Sequence, residues 1–382
     1  MKVRTLKLRD EDFGNEWAEK VEDRWLYDDF KKNERWRKGW ISFNCAAYDP
    51  AADRVYCGVT SFDSDIFTAY DRKSGRFVDL GIKGITDEYD AKFHRGLTLG
   101  NDGCLYAGIA LLHCVDRYLD APGGAVVRYD PRAGTIEKLG IPVPHTYIQS
   151  MTLDDARGVV YGIGFHPQCL LEFDLNTRQG RMLGLITSGA GGGIMSENIV
   201  IDDDGCAWSN WSLTRAWNDA PGSDAVRLCK YDPREERIVF FQKGLPLPSG
   251  EHGYAPAESF VTLGDGFLYA GAHNGSLYRI DPATADAEYL CTPVPDRRSR
   301  LTSLAKTDDG TAYGISGRDG RCELIRFSYK KGKFEKIGPV KDADGTAMWQ
   351  CHHIIATGDG VLYACENDNI FRSSYLWEIS EL

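Results

Sequence analysis

Two histidines and one arginine in this chain are spaced as an acid–base group would be. His145 lies two residues before the start of the apolar segment YIQSMTL, and His166 directly follows the apolar segment VVYGIGF. Because the tight turn DDARG joins these segments, we expect an antiparallel pair of strands with both imidazoles at one end. Arg215 occupies the matching position in the next sequence repeat. Two imidazoles beside a guanidinium could remove the proton next to a carboxylate whose charge the arginine neutralises.

The elements that position these residues recur along the chain. A turn containing Asp-Gly precedes an aromatic residue in NDGCLY, DDGCAW, GDGFLY, DDGTAY and GDGVLY, and this dipeptide supplies the positive φ of a tight hairpin. An aromatic residue marks the second strand of each repeat: Tyr56, Tyr106, Tyr161, Trp208, Tyr269, Tyr313 and Tyr363. Seven copies of such a unit predict an all-β fold, a seven-bladed β-propeller of four-stranded antiparallel blades.

The N-terminal segment is predicted to close this ring. MKVRTLKL alternates like a strand, and the last repeat has only three strands before Leu382. We therefore expect residues 1–10 to supply the outer strand of the last blade, which removes two sheet edges. Residues 11–40 are charged with interleaved aromatic residues and are expected to form an arm over one face. The whole chain, 1–382, is expected to be a single domain.

A ring of polar residues is predicted around one mouth of the central channel. In a propeller the first strand of each blade lines the channel and begins at one mouth, where the second strand ends. We expect the residues that the repeat places there to bind a substrate. They are His94, Arg95, Gln149, Glu197, Asn198, Glu258, His273 and Arg318, together with Trp211 and with His252 from the long connection 244–258.

Composition argues against several partners. The formal net charge of −11 disfavours nucleic acid or an anionic membrane, because either would need a basic face. The eleven cysteines form no CxxC pattern and are expected to be reduced thiols. The N-terminus lacks the apolar core of a signal peptide and no long apolar run follows, so we expect a cytoplasmic protein.

Other interpretations of the same ring remain open. His352 and His353, with the ring's other nitrogen and oxygen groups, could hold a divalent metal such as Ca or Mn in the central channel. No HxH or HExxH spacing is present, so we expect no cofactor to be required. The alternatives are a metal-dependent sugar lyase or glycoside hydrolase at the channel, and a non-catalytic propeller that serves as a binding platform. The histidines could also be structural loop residues.

The pair His145 and His166, followed by Arg215 in blade four, resembles the pattern of seven-bladed propeller polysaccharide lyases. These include the ulvan lyases and the related L-rhamnose-α-1,4-D-glucuronate lyases. The YDPxxG-type turns and the overall size are also similar to that group.

This resemblance implies a carbon–oxygen lyase that cleaves a uronic-acid-containing oligosaccharide by β-elimination and leaves a C4–C5 unsaturated sugar. It implies that His145 and His166 are acid–base or carboxylate-binding residues and that Arg215 is the neutraliser. Several of these lyases carry a tyrosine where this chain has Glu197 and Asn198. The proton donor is therefore expected to be Tyr254, Tyr147 or a histidine.

Overall fold

The computed structural model describes residues 1–22, 27–110, 118–165, 167–187, 198–212, 226–250, 255–295 and 299–382. It confirms the all-β prediction, with 29 strands in the described chain. The arm after the first strand holds three short helices, α1 (Glu16–Glu22), α2 (Tyr27–Lys32) and α3 (Glu34–Gly39), and two 3₁₀ turns occupy Ile82–Gly84 and Tyr329–Lys331.

The strands form seven antiparallel blades that follow the chain in order. Blade 1 contains β2 (Ile41–Asp49), β3 (Arg54–Ser61), β4 (Phe67–Asp71) and β5 (Arg76–Asp79). Blade 2 contains β6 (Lys92–Phe93) and β7 (Thr98–Leu99) as a broken first strand, then β8 (Leu105–Ala110), β9 (Val126–Asp130) and β10 (Thr135–Gly140). Blade 3 contains β11 (Tyr147–Asp154), β12 (Val159–Phe165), β13 (Cys169–Asp174) and β14 (Gln179–Leu185).

The second half of the ring repeats this arrangement. Blade 4 contains β15 (Val200–Ile201), β16 (Ala207–Trp211), β17 (Arg227–Asp232) and β18 (Arg237–Phe240). Blade 5 contains β19 (Ala257–Thr262), β20 (Leu268–Ala272), β21 (Leu277–Ile280) and β22 (Ala287–Cys291). Blade 6 contains β23 (Leu301–Lys306), β24 (Thr311–Ser316), β25 (Glu323–Ser328) and β26 (Lys333–Pro339). Blade 7 contains β27 (Cys351–Ala356), β28 (Leu362–Glu366), β29 (Leu376–Ser380) and β1 (Lys2–Leu6).

The two ends of the chain meet in blade 7. β1 pairs antiparallel with β29, with Lys2 opposite Ser380 and Leu6 opposite Leu376. Blades 1 and 2 are joined into one sheet where Thr60 pairs with Lys92. The first strands of blades 1 and 7 contact each other, as do those of blades 5 and 6 and of blades 6 and 7, so the strands that begin each blade surround a common axis.

The repeated Asp-Gly turn has a clear physical role. In blade 2 the Asp102 carboxylate accepts a hydrogen bond from the main-chain nitrogen of Cys104 at 2.9 Å and another from the Tyr106 hydroxyl at 2.9 Å. Asp265 does the same in blade 5, where it accepts from the main-chain nitrogen of Phe267 at 3.3 Å and from the Tyr269 hydroxyl at 2.7 Å. The aspartate therefore fixes the turn and also satisfies the polar tip of the aromatic side chain that packs between blades.

The interior of the molecule is apolar and lies between neighbouring blades. Six of the seven aromatic residues of the second strands are buried, and Tyr56, Trp208 and Tyr363 are fully so, while Tyr313 is partly buried. The arm packs on blade 1 through a cluster that includes Trp36 and Phe62. The ten cysteines in the described residues are all unpaired, and all but Cys291 are buried. No helix among the described residues is long and apolar enough to cross a membrane.

Candidate functional site

We use the name polar mouth for the end of the ring where the first strands begin and the second strands end. Arg95 fills the channel below it. Its Nε donates to Nε2 of His352 at 3.3 Å, and its Nη1 donates to the main-chain oxygens of Glu258 at 2.5 Å and Thr302 at 2.9 Å. Because these acceptors belong to blades 7, 5 and 6, one guanidinium from blade 2 ties four blades together across the axis.

A glycine allows Arg95 to reach this position. Gly96 has φ of +109°, and a side chain there would meet the main-chain oxygen of Met151 at 2.5 Å. The chain therefore leaves the strand conformation between β6 and β7 and passes close to blade 3, where Met151 donates to the main-chain oxygen of Arg95 at 3.2 Å. This break explains why the first strand of blade 2 is in two pieces.

His94 and His352 pack against each other beside Arg95, with ring centroids 4.6 Å apart. Nδ1 of His94 donates to the main-chain oxygen of Gln149 at 2.9 Å, and Nδ1 of His352 donates to that of Asn44 at 2.7 Å. Burial, reinforced by nearby cations, lowers the pKa of both imidazoles well below the usual value. Both rings are therefore neutral at pH 7.

The predicted metal pair does not fit a divalent ion. Both ring nitrogens of His352 are hydrogen-bonded, one of them to the Arg95 cation. Nδ1 of His353 accepts from the main-chain nitrogen of Ala46 at 3.2 Å, and burial lowers its pKa to about 4. Within the ranges that the structure describes, no group of three His, Cys, Asp or Glu side chains converges as metal ligands would.

Glu258 forms the second buried polar group, at the top of blade 5. Arg300 donates through Nε to both carboxylate oxygens, at 2.9 and 3.0 Å, and through Nη2 at 2.6 Å. His273 donates to the same carboxylate through Nδ1. Burial alone would raise the pKa of Glu258, but the Arg300 and His273 partners outweigh it and hold the pKa below its usual range. The His273 side chain is 52% exposed, so this group opens onto the polar mouth.

The structure describes two of the predicted catalytic candidates, His145 and Tyr147, and Tyr147 is only 3% exposed, which removes it as an accessible proton donor. His145 lies at the polar mouth. It is exposed, lies two residues before β11 and has φ of +58°, a conformation that few residues other than glycine adopt. Two contacts hold it there, because its main-chain nitrogen donates to Pro122 at 2.9 Å and its Nδ1 donates to the main-chain oxygen of Ala121 at 2.7 Å. A carbonyl only accepts, so in the neutral ring Nδ1 carries the hydrogen and Nε2 is free to take a proton.

The other expected site residues divide into three groups. His94, Arg95, Gln149 and Glu258 are buried inside the channel, with exposed fractions between 3% and 7%, rather than on its rim. Trp211 is buried as well, because its Nε1 donates to the main-chain oxygen of Phe241 at 2.9 Å and its ring packs on Phe240. Asn198 is partly buried and donates to the Glu258 main chain at 3.4 Å. Five residues lie outside the described ranges: His166, Glu197, Arg215, His252 and Tyr254.

Arg318 lies at the polar mouth beside a cleft of about 660 Å³. The cleft is also lined by Arg300, Trp349 and Gln350, none of which the sequence pattern had indicated. Arg300 precedes β23 and Gln350 precedes β27 directly, which are positions equivalent to the stretch around His145 before β11. The repeat could have identified them if its alignment had started one or two residues earlier.

Comparison with known proteins supports the fold. No protein-family model and no curated protein matches this sequence. The solved structure of the RRP9 WD40 repeats is 10% identical, with a TM-score of 0.59 over 99% of this chain and 97% of that one. The β-propeller domain of Myceliophteria_thermophila Cps50 (Swd1) is 13% identical, with a TM-score of 0.54 over 89% of this chain and 96% of that one.

A third match is the extracellular domain of the putative hybrid two component system BT4673 from B. thetaiotaomicron. It is 12% identical, with a TM-score of 0.59 over 89% of this chain, and this chain spans only 38% of its length. At such identities the similarity shows the fold alone. The chain is a β-propeller, and its likeness to polysaccharide lyases stays a hypothesis.

Proposed function

We propose that this protein is a lyase that cleaves a uronic-acid-containing oligosaccharide by β-elimination. The observation that carries the proposal is the state of His145, an exposed imidazole at the polar mouth whose Nδ1 is held by a main-chain carbonyl. Because this contact occupies Nδ1, Nε2 is the ring nitrogen that can act as the base. A positive φ at a non-glycine residue is the kind of local strain that persists at functional sites.

The proposed reaction uses one base, one cation and one acid. Nε2 of His145 takes the proton from C5 of the uronate, the released electron pair forms the C4–C5 double bond, and the bond from C4 to the leaving oxygen breaks. The leaving oxygen takes a proton from an acid, for which His166 and Tyr254 are the candidates. No step depends on a metal.

A cation is required because negative charge develops on the uronate carboxylate as the proton leaves. Arg215 is the proposed neutraliser. Among the described residues, Arg318 also lies at the polar mouth of a chain whose net charge is −11, whereas the charge of Arg300 is balanced by Glu258. A cation placed at one mouth of an acidic protein supports an anionic substrate over a neutral one.

A non-catalytic binding propeller is the second candidate. It is favoured by the similarity in fold to WD40 repeats and to an extracellular domain of a putative two component system. In that case a saccharide would bind at the polar mouth and be released unchanged.

The test is to follow the ultraviolet absorbance of a new C4–C5 double bond while the protein is incubated with a panel of uronate oligosaccharides that includes rhamnose–glucuronate ends. We expect the absorbance to rise, and we expect His145→Asn to lower kcat by about 100-fold or more, the usual contribution of a general base. Asparagine is chosen because it tolerates positive φ. The control is Arg237→Ala on the outer strand of blade 4, where the side chain is 64% exposed, and it should retain the wild-type rate.

The possible outcomes separate the candidates. Release of sugar without a double bond would indicate a hydrolase. Binding without any product would indicate the binding platform. Full activity in His145→Asn would remove this residue from the mechanism.

A further inference from the structure

A two-lobed cleft opens at blades 6 and 7 of the polar mouth. One lobe, of about 660 Å³, is lined by Arg300, Arg318, Trp349 and Gln350, among others. The other lobe, of about 600 Å³, is lined by Ser299, Arg318 and Glu323. Arg318 and Asp319 line both lobes, and we call the whole the Arg318 cleft. Each lobe alone lies within the roughly 300–1,000 Å³ of small-molecule sites.

Buried polar atoms that lack a hydrogen-bond partner are concentrated at this cleft. Four of the nine such side-chain atoms in the described residues belong to residues that line it: Ser299 Oγ, Arg318 Nε, Glu323 Oε2 and Gln350 Oε1. Gln350 is only 7% exposed and Ser299 only 1%. Folded proteins pair nearly all such groups, so a concentration of unpaired ones at a cleft points to a polar ligand that supplies the missing bonds.

Arg318 is placed to be a central contact for that ligand. Its main chain bridges to Gln350, which fixes both residues at the boundary of blades 6 and 7. Its Nε lies 3.5 Å from Oδ1 of Asp319, too far for a good hydrogen bond, and 39% of its side chain is exposed. The guanidinium can therefore receive a carboxylate without first breaking a strong contact at Nε.

The remaining lining suits a sugar ring. Trp349 is partly buried and packs edge-on against Phe371, with centroids 5.2 Å apart, so its ring is held in a fixed orientation. Carboxylates of Asp319 and Asp368 and the amide of Gln350 offer both acceptors and donors. A hydroxyl-rich ligand with one carboxylate matches this mixture, whereas a small inorganic anion would leave most of these groups without partners.

We propose that the Arg318 cleft is a saccharide subsite that binds an acidic sugar unit, with its carboxylate on Arg318 and its hydroxyls on Gln350 and the buried Ser299. The class of ligand rests on the proposed function, while the site itself rests on the unpaired atoms. The subsite would hold a part of the oligosaccharide away from the bond that is cleaved at His145.

The experiment is titration calorimetry of the full chain with D-glucuronate and with D-glucose. We expect D-glucuronate to bind and D-glucose to bind at least tenfold more weakly. Gln350→Leu should weaken D-glucuronate binding at least tenfold, and Arg318→Gln should remove the preference for D-glucuronate. The matched control is Gln179→Leu on the exposed outer strand of blade 3, which should change neither affinity.

A second measurement separates a binding role from a structural one. Because Oε1 of Gln350 has no partner in the described structure, Gln350→Leu should leave the thermal midpoint of the ligand-free protein unchanged or raise it. A lower midpoint would show that Gln350 supports the fold, and the proposal would be overturned. Absence of D-glucuronate binding to the wild type, or unchanged binding in both variants, would also overturn it.

The binding result is independent of catalysis, since D-glucuronate is a single sugar and has no glycosidic bond to be cleaved. If the protein forms the C4–C5 double bond but D-glucuronate binding does not depend on Gln350 and Arg318, the subsite is refuted and the lyase is not. Binding that depends on Gln350 and Arg318 without any double bond would refute the lyase and support the subsite.

Discussion

Replacing Glu366 by glutamine tests how firmly the polar mouth is held. The Glu366 carboxylate is fully buried and accepts three hydrogen bonds on each oxygen. The donors are Trp349 N at 2.7 Å, Asn369 Nδ2 at 3.2 Å and Arg372 Nη2 at 2.9 Å on Oε1, and Arg372 Nη1 at 2.9 Å, Tyr375 N at 2.8 Å and Trp377 Nε1 at 3.3 Å on Oε2. One carboxylate thus positions Trp349 and the chain after β28, both of which contribute to the Arg318 cleft.

The expected cost follows from these contacts. In Glu366→Gln one oxygen becomes an NH₂ group that faces three donors, and Arg372, whose side chain is 15% exposed, loses the charge that balances it. An unpaired buried donor costs about 1–3 kcal/mol, and removing one partner of a buried ion pair costs about 3–5 kcal/mol. We therefore expect the free energy of unfolding to fall by about 3–5 kcal/mol, a large part of the roughly 5–15 kcal/mol typical of a folded domain.

The assay is urea unfolding followed by tryptophan fluorescence. The control is Glu335→Gln in blade 6, because the Glu335 and Arg326 side chains form an exposed pair, 56% and 36% accessible, that should contribute less than about 1 kcal/mol. If Glu366→Gln lost no more than the control, with an unchanged slope against urea, the reasoning that this carboxylate holds the mouth would be refuted.

Two further predictions concern the channel. The folded protein lowers the pKa of three histidines, His94, His352 and His353. Below about pH 6.5 the unfolded chain therefore binds more protons than the folded one. The free energy of unfolding should fall as the pH is lowered, by up to about 4 kcal/mol per pH unit for the three histidines together. Urea unfolding at pH 7, 6 and 5 measures this, and a flat profile would contradict it. Arg95→Met removes the donors to two buried main-chain carbonyls and should lower the free energy of unfolding by about 2–5 kcal/mol. The control, Arg237→Met on the exposed outer strand of blade 4, should change it by less than about 0.5 kcal/mol. Equal losses in the two variants would contradict the role of Arg95 in joining blades across the channel.

Local sequence signals were enough to predict the fold. In several Asp-Gly turns the aspartate contacts atoms within four residues of itself, as Asp102 does with Cys104 and Tyr106 and Asp265 does with Tyr269. Such short-range contacts leave a pattern that can be read directly and counted. The blade boundaries follow from that count, and the all-β propeller was predicted correctly for this reason.

The interior of the channel could not be predicted in the same way. Arg95 contacts Glu258, Thr302 and His352, which are 163, 207 and 257 residues away in the chain. The repeat places polar residues near the axis, but it does not say whether they face a ligand or one another. The rotation of each blade and the break at Gly96 decide that outcome, and both depend on packing between blades.

The filled channel constrains where this propeller can bind a ligand. His94 and His352 are neutral and hydrogen-bonded to main-chain carbonyls, and Arg95 joins blades across the channel. Among the described histidines, only His145 and His273 therefore offer an accessible imidazole at the polar mouth. His145 belongs to blade 3, while the Arg318 cleft lies at blades 6 and 7. Under the proposed function, a ligand that reaches both must lie across the mouth of a seven-membered ring. A single sugar would be too short for this, so an oligosaccharide is the substrate that such an arrangement favours.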